Sequence, residues 1–211
     1  MKRKHPLWFL LPLALLLPLA ACSSQEPDTA AQPQENTIAP YALTQRERTL
    51  LDAFGHTEGT AQVLSFQAPV EARCLTIQTA QLGEDGQWEV VSAPAIALLG
   101  EDQADLSLSG LFTLSRADNY ALTFHIVCDG AGGMTSQTDP LPPDPNTTMH
   151  TWAFLTDPQA IQLDQPIPVA LLAYDSGTSM SSLNLQDYFT PENLTGPDLV
   201  QAVTVTFSET A

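Results

Sequence analysis

The segment Leu106-Ser-Leu-Ser-Gly-Leu-Phe-Thr-Leu-Ser-Arg116, followed at once by Tyr120-Ala-Leu-Thr-Phe-His-Ile-Val-Cys128, decides the fold class. Leu106, Leu108, Phe112 and Leu114 share one parity, broken only at Gly110, and Tyr120, Leu122, Phe124 and Ile126 repeat the pattern. A period of two is that of a strand with one buried face. Val203, Val205 and Phe207 do the same near the C-terminus, and residues 75–77 and 88–90 flank Gly83-Glu84-Asp85-Gly86, a composition that closes a hairpin. Further strands are expected over residues 61–66, 149–155, 159–163 and 169–174. This many short, one-sided strands with Pro and Gly between them predict a mainly β protein, a single antiparallel β-sandwich domain, with an open barrel as the alternative.

Helix signals are fewer. Thr44 and Glu47 form a T-x-x-E capping box, Leu50, Leu51 and Phe54 then fall on one face, and Gly55 is a natural stop. A one-faced helix of this kind is expected to dock on the sheet. Residues 182–189 and the Thr190-Pro191-Glu192 start signal predict one or two short helices near the C-terminus.

The charge is unevenly distributed. The 211 residues hold 7 Lys+Arg against 24 Asp+Glu, a formal net charge of −17. Lys2, Arg3 and Lys4 account for three of the cations; beyond residue 22 only Arg46, Arg48, Arg73 and Arg116 oppose all 24 acids, which leaves −20. Nucleic acid is therefore excluded as a partner, because phosphate binding needs clustered cations. The three leading cations precede an apolar run, Leu7 to Leu19, that is short for a membrane span and holds Pro12 and Pro18. Such a segment reads as a signal peptide.

That segment ends in Leu19-Ala20-Ala21-Cys22, which resembles the lipobox of bacterial lipoproteins at all four positions. The resemblance covers the first 22 residues; beyond them the chain is similar only to uncharacterised surface lipoproteins in general character. It implies that residues 1–21 are removed and that Cys22 carries a diacylglycerol. Two acyl chains anchor stably where one binds marginally. Residues 22–41, rich in Ser, Gln, Pro and acids, then read as a tether with a reach of roughly 25 Å, and 42–211 as one extracytoplasmic domain. The Asp139–Pro145 run reads as a long connection inside it. The implied location is the cell membrane, lipid-anchored and facing outside the cytoplasm. The implied role is a non-enzymatic binding or structural module of the envelope with a protein or glycan partner.

Cys74 and Cys128 allow a disulfide outside the cytoplasm, worth about 4 kcal/mol for a loop of this length. Parity speaks for two separate thiols: Cys74 is out of phase with Leu75 and Ile77, whereas Cys128 is in phase with Phe124 and Ile126. Both readings stand at this point.

No motif demands a cofactor, metal or catalytic residue. Asp175-Ser176-Gly177-Thr178 resembles the active-site loop of aspartic proteases, which use two such aspartates around one water. This gives a hydrolase as the alternative, against an ordinary turn after the strand at 169–174. Acid clusters at Glu84-Asp85, Glu101-Asp102-Asp105 and Asp139-Asp144 offer oxygen ligands for calcium, but none has the spacing of a calcium loop. His56, His125 and His150 read as structural. Trp88, Trp152 and Tyr120 share the phase of apolar neighbours and read as core, with glycan stacking as the alternative use of aromatics on a sandwich.

Overall fold

The computed structural model describes residues 34–56, 59–98, 107–129, 132–140 and 147–210. Leu19–Cys22, the acids 101–105, Asp144 and most of the Asp139–Pro145 run therefore lie outside the described residues. Twelve strands form two antiparallel sheets. The first has the order β10-β1-β2-β6-β7-β8, built from Gln159–Ala160, Thr37–Pro40, Ala61–Gln67, Ser109–Arg116, Leu122–Cys128 and Gly132–Gln137. The second has the order β4-β3-β12-β11-β9, from Trp88–Ser92, Cys74–Leu82, Leu199–Ser208, Ile167–Asp175 and Met149–Phe154, and the short β5 (Ala95–Ala97) also pairs β3. Two sheets face to face make a sandwich rather than a barrel.

The period-two pattern sets which faces meet. In β6 and β7 Phe112, Leu114, Leu122, Phe124 and Ile126 turn inward and are fully buried, with His125 exposed between them. They meet Leu75, Ile77, Val203, Val205 and Phe207 from the other sheet in one core, where Phe66 and Phe207 pack with centroids 5.6 Å apart. Gly110 keeps the β6–β7 ladder in register. A Cβ there would stand 1.9 Å from the Val127 carbonyl oxygen, which no side chain tolerates.

β11 and β12 are buried along nearly their whole length. Their inner residues join the core, while Leu171, Ala173, Val200 and Ala202 point outward into a second apolar cluster. The segment after β11 covers that face: Leu183, Leu185, Tyr188 and Leu194 pack onto it, from a stretch with two 3-10 turns at Leu185–Phe189 and Pro191–Leu194. The continuous run Val169-Ala-Leu-Leu-Ala-Tyr174 is thus a strand covered on both sides. The molecule has three layers at this point.

Three expectations need correction. Thr37–Pro40, assigned to the tether, is β1, paired with β2 on one side and β10 on the other. Its only strong burial is Ile38, too little for a periodic signal. The helix α1 (Gln45–Ala53) forms with its full capping box, Glu47 Oε2 accepting from the Thr44 amide at 2.7 Å. It does not dock, however: none of its residues is buried, and Leu50 and Phe54 are 53% and 76% exposed. The helix bridges β1 and β2 at one end of the first sheet, so no sheet face lies beneath it. The strand expected over 159–163 shortens to the two residues of β10, since Gln162 and beyond turn away toward β11.

Candidate functional site

β9 is the outermost strand of the second sheet, paired only with β11 among the described residues. A groove of about 950 Å³ runs along it and reaches Ile167 and Pro168 at the start of β11. One wall is the β10–β11 connection, with Gln159, Gln162, Gln165 and Pro166; the other is the cover, with Leu183, Leu185, Gln186 and Phe189. The floor is the run Trp152-Ala-Phe-Leu-Thr-Asp157. Asp157 is the sole ionisable residue of the lining, and it accepts a hydrogen bond from the Thr156 hydroxyl at 2.9 Å.

Trp152 is 37% exposed at this edge rather than core, because an outermost strand has a neighbour on one side only. His150 stacks on its indole, centroids 5.3 Å apart and planes 20° apart. Gly59 lies against its six-membered ring so closely that a Cβ would come within 2.6 Å of Cζ2. Burial and then the nearby Arg116 lower the His150 pKa, which favours the neutral imidazole. Tyr174, opposite His150 in the ladder, packs on Tyr120 at 4.6 Å, and its hydroxyl is buried without a hydrogen-bond partner. Tyr120 is packed against the main core, and Trp88 stacks on Tyr188 and donates its indole N–H to the Tyr188 carbonyl at 2.9 Å, holding the cover in place.

Asp175 ends β11 beside a second, smaller cavity of about 300 Å³ under the cover. Near it, just before β12, stands Asp198, whose carboxylate accepts from the Ser176 amide at 2.7 Å. The Ser176 hydroxyl and amide hold the Asp198 carboxyl below the ordinary aspartate range. The motif thus closes a turn with a hydrogen-bonded, exposed carboxylate.

Cys74 and Cys128 are separate thiols, one in each sheet. Cys128 packs in the main core, and burial followed by the adjacent Asp129 pushes its pKa up to about 11. Cys74 is equally buried, with Thr76 Oγ1 its polar neighbour at 3.9 Å. His56, His125 and His150 stand far apart in the chain's order, and no carboxylate among the described residues is bonded to any of them; His125 bonds Thr135 Oγ1 at 2.9 Å. Among the described residues no three His, Cys, Asp or Glu side chains group as metal ligands, and Asp85 instead accepts from the Gln87 amide within its hairpin turn. No helix of the described residues is long and apolar enough to cross a membrane.

No protein-family model, curated protein or solved structure matches the chain. The groove itself carries no motif: its walls come from residues 159–168 and 182–189, and only tertiary structure joins them at the side of β9.

Proposed function

We propose that this chain is a lipid-anchored lipoprotein of the cell envelope, facing outside the cytoplasm, whose domain is a non-enzymatic binding module. The Leu19-Ala20-Ala21-Cys22 motif behind a basic and then apolar leader carries the anchoring part. The groove along β9 supports the binding part: it is lined by amides, hydroxyls and apolar side chains with a single carboxylate, a surface suited to recognition rather than proton transfer. At −20 beyond Cys22, the domain is repelled by an anionic membrane surface and held off it on its tether.

Cys22→Ala tests the anchoring. Metabolic labelling with a palmitate analogue, followed by membrane fractionation, is expected to find the wild-type chain labelled and membrane-bound and the variant unlabelled and released or unprocessed. A variant that stays on membranes while the wild type carries no lipid sinks the proposal. The hydrolase reading rests on the Asp175 loop, whose carboxyl interacts with that of Asp198. Proteolysis at acid pH that disappears in Asp175→Asn would favour it instead.

A further inference from the structure

We infer that the groove binds an extended polypeptide segment, uncharged along the groove and basic at its ends, as an added strand on the free edge of β9. This deepens the binding-module reading and rests on it. The first observation is the floor of the groove. Successive residues of a strand point to opposite faces, so a pocket on one face touches every second residue. Here Trp152, Ala153, Phe154 and Leu155 all line the space. A groove that contacts consecutive residues is open to the strand's edge, where main-chain N–H and C=O groups point.

The second observation is which groups those are. Leu155 donates its amide to the Val169 carbonyl at 3.0 Å, in the same register that pairs Phe154 with Ala170 and Trp152 with Leu172. Antiparallel bonding alternates along a strand, so the Leu155 amide and Ala153 bond inward to β11, the Leu155 carbonyl accepts from Gln62 Nε2 at 2.6 Å, and Phe154 and Trp152 present their N–H and C=O outward. An outermost strand normally shows this row to open water. In β9 it lies between two walls, a channel that accepts a chain edge-on and buries side chains on both sides of it.

Charge and packing choose among occupants. A second copy of this chain brings another −20, and the two copies repel. A glycan needs a free aromatic face, whereas the Trp152 indole is already stacked by His150 and crowded by Gly59. A neutral strand has no carboxylate to set against Asp157, and cationic flanks would meet Asp157 in the lining and the exposed Asp164 between the wall residues Gln162 and Gln165. The partner is therefore a segment of alternating apolar and uncharged polar residues with basic ends.

The test uses the full chain purified in detergent and follows amide hydrogen exchange residue by residue. The probe is a synthetic peptide of repeated Thr-Val pairs with lysines at both ends. Its control has the same sequence with alternate amides N-methylated. Free protein is expected to exchange at Trp152 and Phe154 faster than at Ala153 and Leu155. The peptide is expected to slow the first two by about tenfold or more, the methylated control to leave them unchanged, and Gln162→Trp, an exposed wall substitution that fills the channel, to abolish the effect. Three results overturn the inference: Trp152 and Phe154 already protected in the free protein, no slowing at the highest soluble peptide concentration, or slowing by cellohexaose and not by the peptide. Slowing by cellohexaose alone would leave the binding-module reading standing and overturn only the added strand, so the two readings fail separately.

Discussion

Replacing Tyr174 by Phe should stabilise the domain, against the usual expectation that truncating a buried residue costs stability. The Tyr174 ring is 3% exposed and packs on Tyr120 at 4.6 Å, both of which phenylalanine preserves. What the substitution removes is a hydroxyl with no hydrogen-bond partner. A buried unpaired polar group costs about 1–3 kcal/mol in desolvation; allowing for the small void left by the oxygen, a gain of about 1 kcal/mol is expected at neutral pH. In a domain of this size that corresponds to a Tm rise of about 2–4 °C. A second signature follows from the acid–base equilibrium. Burial raises the Tyr174 pKa from 10.0 to about 12, an effect that Arg116 partly opposes and Tyr120 reinforces. Between those values the unfolded chain has lost a proton that the folded chain keeps, so stability is whole below pH 10 and falls as pH rises. At pH 11 the loss from this one group is about 1.4 kcal/mol, and Tyr174→Phe abolishes it. Urea melts of wild type and variant at pH 7 and pH 11 read both quantities. The difference between them should widen in favour of the variant at the higher pH. A variant less stable by 1 kcal/mol at pH 7, with no change in the gap at pH 11, would refute the account of an unpaired hydroxyl.

The remaining expectations concern packing and redox state. Leu50→Ser and Phe54→Ser should each change stability by less than about 0.5 kcal/mol, as exposed positions do, whereas Phe207→Ala, in the main core, should cost about 3–5 kcal/mol; equal losses in denaturant melts would mean that α1 docks after all. Gly110→Ala should prevent normal folding or cost more than about 3 kcal/mol, because its methyl group collides with the Val127 carbonyl; a near-neutral result in the same melts contradicts the β6–β7 register. Titration of denatured, unreduced protein should find Cys74 and Cys128 both as free thiols. If neither reacts until reductant is added, the two sheets are covalently joined and the separation seen here is wrong.

The period-two segments carried the sandwich in plain view. Leu108 through Ile126 and Val203 through Phe207 alternate because one face of each strand is buried and the other is not, and alternation is what a linear reading detects. β1 escaped it, since four residues with one buried isoleucine hold no period. β8, Gly132–Gln137, escaped for a related reason: as the outermost strand of the first sheet it buries almost nothing. The helix was legible as a helix, because capping is local chemistry, but its partner was not, because docking depends on where β1 and β2 carry its ends. Trp152 was misread in the same way. Its phase matched its neighbours in sequence, while its exposure was set by β9 having no strand beyond it among the described residues. The groove was not legible at all, being assembled from separate stretches of chain at one sheet edge.

The position of β1 bears on how force crosses the molecule. Residues 34–36 enter the domain beside β10, where Ile161 donates to the Asn36 carbonyl at 2.8 Å, and Gln159, Ala160 and Gln162 on that same stretch form a groove wall. In the proposed anchored chain with a strand held on β9, a pull divides between the six-pair ladder from β9 to β11 and the turn at 155–158, which leads into β10 and across two residue pairs to β1. The second branch bypasses the second sheet's centre and its cover. β1 is loaded from its N-terminal end along its own length, so its pairings with β2 and β10 resist together in shear rather than peeling apart in sequence. On that proposal the bound strand and the anchor lie at the two ends of a short path along one edge of the sandwich.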